Sequence, residues 1–141
     1  MEGMDQPRPF AGGIARLKDA GLRPTRQRVQ LLRILEADGH RHLTAEQLHA
    51  EATAAGLGVS LATIYNTLNQ FTKSGLLREV VVEPGRSYFD TNTGDHHHFY
   101  FEAEGRLQDI PSEQIALAAL PPAPAGTAIA RVDVIVRILP E

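Results

Sequence analysis

The chain has 141 residues, of which 43% are hydrophobic and 22% charged, a composition typical of one ordinary folded domain or two small ones. No stretch stays apolar for the about 18 residues that a membrane span requires, and the N-terminus lacks the apolar core of a signal peptide, so we expect a cytoplasmic protein without membrane contact. Cysteine is absent, which excludes disulfides and thiolate metal ligands.

The net charge of −3 is unevenly distributed along the chain. Residues 1–82 carry ten basic and eight acidic side chains, whereas residues 83–141 carry four and nine. The first part can therefore face a polyanion such as DNA, and the second part cannot.

Four helices are predicted after a flexible tail at residues 1–11. The first covers residues 12–20. The second and fourth have Thr25 and Ser60 as N-caps, and the third opens with a capping box in which Thr44 pairs with Gln47.

The hydrophobic period then changes to that of strands. Leu76–Glu83 and Arg86–Thr91 flank a Pro84-Gly85 turn, which predicts a β-hairpin. A helical core followed by such a hairpin is typical of a winged helix-turn-helix domain, which we assign to residues 1–91.

Residues 92–141 are predicted to form a second, α/β domain. Strands are expected at His97–Phe101 and Leu107–Ile110, a short helix at Ser112–Leu120, and a last strand at Val132–Ile138. A unit of this size cannot bury a sufficient core alone, which favours pairing with a second copy in a homodimer. The fold class is therefore α+β, with a winged-helix domain and a dimerisation domain.

The outward face of the fourth helix has side chains suited to reading double-stranded DNA. Amides pair with adenine edges, a small apolar group meets a thymine methyl, and lysine meets phosphate. The residues are Ala62, Thr63, Tyr65, Asn66, Asn69 and Lys73. Basic residues near helix starts are candidates for phosphate contacts, and they are Lys18, Arg23, Arg26 and Arg28. Any solvated helix face has a similar composition, but the order of elements favours DNA recognition.

The run His96-His97-His98 is a candidate metal site. On an extended strand His96 and His98 project from one face and His97 from the other. Imidazoles combined with carboxylates suit Fe(II) or Mn(II) at high coordination better than a closed tetrahedral zinc site.

Four segments resemble the ferric uptake regulator family over roughly residues 14–110: GLRPTRQRVQLLRIL (21–35), HLTAEQLHAEA (42–52), SLATIYNTLNQFTKSGLL (60–77) and FDTNTGDHHHFYF (89–101). The resemblance implies a winged helix hinged to a dimerisation domain, with metal-dependent operator binding. The histidine triplet and the lack of cysteine resemble the iron response regulator branch of the family.

The resemblance also implies a set of metal ligands, His42, Asp90, His96, His98 and Asp109, spaced as in the peroxide-sensing branch. Fe(II) or Mn(II) is the expected ion, and zinc is an alternative occupant in the isolated protein. Haem at His96, His97 or His98 and peroxide sensing stay open. Many relatives hold a structural zinc with two pairs of cysteines. That zinc is not expected here, since Phe101 and Glu104 stand at the positions of the first cysteine pair.

The sequence therefore predicts a metal-responsive DNA-binding transcription regulator of iron or oxidative-stress genes. One alternative is a winged-helix DNA-binding protein whose histidines are structural and insensitive to metal. A metallohydrolase is a remote alternative, because the chain has neither a His-Glu-x-x-His helix nor a nucleophile motif.

Overall fold

The computed structural model describes residues 11–141, so the tail predicted at residues 1–11 lies outside the described part except for Ala11. The chain divides into two compact units, Met1–Thr93 and Gly94–Glu141. Among the described residues, none of the helices combines the length and the apolar character needed to cross a bilayer.

The first unit contains four helices: α1 Ala11–Asp19, α2 Arg26–Glu36, α3 Ala45–Ala54 and α4 Leu61–Lys73. The three predicted N-caps are confirmed. Thr25 Oγ1 accepts a hydrogen bond from the Arg28 amide at 3.2 Å, and Ser60 Oγ accepts one from the Thr63 amide at 3.1 Å. At α3 both bonds of the capping box are present, because Thr44 accepts from the Gln47 amide and Gln47 accepts from the Thr44 amide.

A single apolar core joins these helices. α4 contributes Ile64, Leu68 and Phe71, which recur at helical spacing and are fully buried, so one stripe of the helix faces inward and leaves the opposite face in solvent. The other helices supply large buried leucines, namely Leu17, Leu31, Leu32, Leu35 and Leu48.

An antiparallel sheet completes the first unit. Its strands are β1 His42–Leu43, β2 Arg78–Glu83 and β3 Arg86–Asp90, in the order β1-β3-β2. The predicted hairpin is confirmed as β2 and β3, and Gly85 adopts the positive φ of 76° that their tight turn requires. β1 was not predicted, since two residues are too few to show a period.

The second unit is a three-stranded sheet of β4 His96–Phe101, β5 Arg106–Pro111 and β6 Ile135–Ile138, in the order β5-β4-β6. β4 pairs antiparallel with β5 and parallel with β6. The helix predicted at Ser112–Leu120 is wrong, because only a 3-10 turn forms at Ser112–Gln114. Leu117 and Leu120 stay exposed, so a helix here would bury no apolar face to stabilise it. The last strand also begins at Ile135 and not at Val132.

The capping box of α3 gives a first testable expectation. Replacing Thr44 with alanine removes the hydrogen bond that Thr44 Oγ1 accepts from the Gln47 amide, while the backbone amide of residue 44 can still donate to Gln47. We expect the free energy of unfolding to fall by about 1 kcal/mol. Urea denaturation followed by circular dichroism measures this change. The matched control is Thr53→Ala on the exposed side of the same helix, which should be neutral or slightly stabilising. Equal effects of the two substitutions would contradict the role of the cap.

Candidate metal centre

Two of the predicted ligands, His42 and Asp90, face each other in the first unit. β1 and β3 pair in the register His42↔Asp90, and directly opposite residues of an antiparallel pair project from the same face. His42 Nε2 lies 3.3 Å from Asp90 Oδ2, and the Asp90 side chain is only 1% exposed. The strand pairing thus places an imidazole nitrogen and a buried carboxylate oxygen side by side.

The residues beside this pair are held together across the sheet. The Thr91 amide donates to the Arg41 carbonyl at 3.1 Å, and the Arg41 amide donates to Thr91 Oγ1 at 2.9 Å. Asp90 Oδ1 accepts from the Asn92 amide at 2.9 Å. The backbone therefore fixes one Asp90 oxygen and leaves Oδ2 facing His42.

Arg41 also ties this end of the sheet to α3. Its guanidinium donates to both carboxylate oxygens of Glu51, at 2.8 and 2.6 Å. This hydrogen-bonded pairing with Glu51 raises the pKa of Arg41 above its ordinary value, although partial burial opposes the shift. The strand that holds His42 is consequently anchored on two sides.

The other three predicted ligands meet in the second unit. His98 lies opposite Asp109 in the β4–β5 register. Asp109 Oδ1 is 3.4 Å from His96 Nε2 and 3.5 Å from His98 Nε2. The two imidazole rings are both buried and their centroids are 4.5 Å apart. One carboxylate oxygen thus faces two imidazole nitrogens.

Hydrogen bonds distinguish His96 from its neighbour His97. His96 Nδ1 lies 2.6 Å from the Gly94 carbonyl, which can only accept, so Nδ1 carries a proton and Nε2 is the ring nitrogen that faces Asp109. His97 is the reverse, because its Nδ1 accepts from the Val134 amide at 3.1 Å. In this tautomer the proton of His97 is on Nε2, and the ring can bind a metal only after that hydrogen bond breaks.

Each set has the geometry of ligands that share an ion. Ligand atoms within each set lie within 4.8 Å of one another. With metal–ligand bonds of about 2.0–2.2 Å, neighbouring ligand atoms are roughly 3.0–3.5 Å apart, which matches the separations in both sets. Donors that are only imidazole nitrogen and carboxylate oxygen fit Fe(II), Mn(II) or Zn(II). The pair and the triad can therefore each supply part of a coordination sphere.

The predicted DNA-reading face of α4 is directed to solvent. Exposed side chains there are Ala62, Tyr65, Asn66, Asn69 and Lys73, while Thr63 is half-buried beside the Ser60 cap. Of the four basic candidates, Lys18, Arg23 and Arg26 are exposed. Arg28 is more constrained, because its guanidinium donates to the Arg23 carbonyl at 2.8 Å and to Gln70 Oε1 at 3.0 Å.

Two hydrogen bonds to neighbouring helices, which the sequence did not predict, position this face. The Tyr65 hydroxyl donates to Glu46 Oε2 at 2.7 Å, a bond from α4 to α3 that raises the Tyr65 pKa. Gln70 receives the hydrogen bond from Arg28 on α2. Both contacts join residues far apart in the chain, so no local pattern could have indicated them.

Comparison with known proteins identifies the family. The model of the ferric uptake regulator family matches residues 19–129. The ferric uptake regulation protein of Legionella pneumophila is 39% identical over 100 residues, which are 70% of this chain and 74% of that protein. The peroxide-responsive repressor PerR of Staphylococcus aureus strain Mu50 is 36% identical over 102 residues, covering 72% of this chain and 68% of the repressor. The crystal structure of the Vibrio cholerae ferric uptake regulator superposes with a TM-score of 0.71 at 26% identity, over 89% of this chain and 97% of that one. The chain belongs to the ferric uptake regulator family, whose members are transcription regulators and not enzymes.

Proposed function

We propose that this protein is an Fe(II)- or Mn(II)-responsive transcription regulator in which one ion is held jointly by His42, Asp90, His96, His98 and Asp109. The observation that carries this proposal is that, within both sets, imidazole Nε2 atoms face carboxylate oxygens at 3.3–3.5 Å. Neither set alone supplies the five or six ligands that these ions take in nitrogen- and oxygen-rich sites. Together they supply five.

Ligands drawn from both units make the ion a regulator of domain arrangement. The ion gains all of its contacts only when the pair and the triad engage it together, so metal favours the arrangement that brings them together. Only residues 91–95 separate Asp90 from His96 in the sequence. So short a linker gives the triad of the second unit a high effective concentration at the His42–Asp90 pair. Metal occupancy then sets the spacing of the DNA-reading helices.

The DNA partner of the proposal is double-stranded, and the protein binds it as a homodimer. The exposed amides on α4 read base edges in the major groove, and Lys18, Arg23 and Arg26 contact phosphates, with Arg28 contributing through its remaining donors.

The second unit exposes large apolar side chains that a second copy would cover, namely Leu117, Leu120, Ile129 and Leu139. A twofold dimer reads two half-sites related by the same symmetry.

Haem is a weaker candidate than a directly bound ion. Of the three histidines that could ligate haem, His97 already accepts a hydrogen bond from the Val134 amide at its Nδ1. His96 and His98 face Asp109, whose negative charge favours a directly bound cation over haem. The cavity that His97 lines with Ser112, Leu117 and Arg131 has a volume of only 210 Å³.

The decisive experiment is selection of duplexes from a randomised library by metal-stripped protein, with and without Mn(II). Fluorescence anisotropy on the selected duplex then compares the apo protein with the Mn(II), anaerobic Fe(II), Zn(II) and haem forms. We expect Mn(II) or Fe(II) to change the dissociation constant at least about tenfold, a coupling of about 1.4 kcal/mol. Identical constants in all forms would indicate a metal-insensitive DNA-binding protein, and failure to select any duplex would overturn DNA recognition.

A further inference from the structure

A buried arginine lies beside the proposed metal ligand Asp90. Arg78 begins β2 and is the cross-strand partner of Asp90, whose other neighbour in the sheet is His42 of β1. Because directly opposite residues in antiparallel strands share a face, His42, Asp90 and Arg78 form a row with the carboxylate in the middle. Arg78 is 4% exposed and Asp90 is 0% exposed.

Burial makes the two charges depend on each other. A guanidinium keeps its proton in proteins, so Arg78 is a permanent positive charge in this sheet. An ionised carboxylate withdrawn from water is costly unless an opposite charge compensates it. Arg86 of the neighbouring strand is different, since its side chain is 52% exposed and pairs with Glu83 at the surface.

We propose that Arg78 is the counter-ion of Asp90 in the metal-free protein and sets the metal concentration at which the site fills. This inference rests on the proposed function, because it concerns the same ion. The carboxylate is already compensated when the ion arrives, so a divalent cation binds against the repulsion of the guanidinium. Arg78 therefore weakens metal binding and also stabilises the empty site, which keeps the metal-free form folded and ready to respond.

The first test compares Mn(II) binding to metal-stripped full-length protein by titration calorimetry. The variant R78M, which keeps an unbranched apolar side chain but removes the charged guanidinium, should bind Mn(II) at least about tenfold more tightly than wild type. R78K retains the charge and should stay within about threefold, as should R86M, the exposed arginine control. Unchanged or weaker Mn(II) binding by folded R78M would overturn the inference. Absence of Mn(II) binding by the wild type would instead refute the proposed metal function.

The second test needs no metal and covers the case in which R78M is poorly folded. Melting temperatures of the metal-stripped wild type, R78M, D90N and R78M/D90N form a double-mutant cycle. If the two charges compensate each other, D90N lowers the melting temperature of the wild type, whereas in the R78M background it raises the melting temperature and recovers stability lost in R78M. Additive shifts would overturn the counter-ion role, even in a protein that binds Mn(II).

Discussion

The double variant H96N/H98N is expected to lose high-affinity Mn(II) binding, with a rise of at least about 100-fold in the dissociation constant of the metal-stripped protein. Both rings are buried and both present Nε2 to Asp109 Oδ1, so the substitution removes two donors from one side of the proposed coordination sphere. Loss of a supporting residue around a metal already costs about 10–100-fold in affinity, and loss of two ligands costs more. Titration calorimetry measures the constant directly.

The same loss is visible in the thermal stability. A ligand at about 100 times its dissociation constant stabilises the folded state by about 2.7 kcal/mol, which a melting curve with and without Mn(II) detects. The wild type should gain this increment, and H96N/H98N should gain almost none.

His97 supplies the matched control, because it is a buried histidine in the same strand whose Nδ1 accepts the Val134 amide. The variant H97N should keep the Mn(II) affinity within a few-fold of the wild type while losing some stability from the lost hydrogen bond. If H97N lost Mn(II) binding as completely as H96N/H98N, the assignment of His96 and His98 as metal ligands and of His97 as a structural residue would be wrong.

Local signals account for what the sequence predicted well. The caps at Thr44 and Ser60 bond to amides three residues away, so residue types alone indicate them. The common face of His96 and His98 follows in the same way from the two-residue period of a strand. His42, Asp90 and Asp109 came instead from the family resemblance, since nothing in their spacing indicates a ligand.

Contacts between distant parts of the chain account for what the sequence did not predict. β1 exists because His42 and Leu43 pair with β3, and the Arg41–Thr91 hydrogen bonds join residues 50 positions apart. The failure of the helix at Ser112–Leu120 has a related cause. Its alanines favour a helix locally, but Leu117 and Leu120 remain 46% and 48% exposed, so the described residues of the second unit offer no buried apolar face against which the helix could pack.

Replacing Asn66 and Asn69 together with alanine should weaken binding to the selected duplex by at least about 100-fold. Both amides are exposed on one face of α4, three residues apart, where they can reach neighbouring base edges. A bidentate amide–adenine pair contributes about 1–3 kcal/mol of discrimination, so two such pairs account for the expected loss. Fluorescence anisotropy with the metal-loaded protein measures the change.

The loss should be confined to sequence-specific binding. Phosphate contacts dominate the affinity for an unrelated duplex, and N66A/N69A leaves every lysine and arginine in place, so that affinity should change less than about threefold. The control Q27A removes another exposed side-chain amide, from α2, and should leave both affinities unchanged. Asparagine to alanine at exposed helix positions favours the helix, so N66A/N69A should melt no lower than the wild type. A parallel loss on both duplexes would mean that α4 contacts only the DNA backbone, and base recognition would have to be sought on another element.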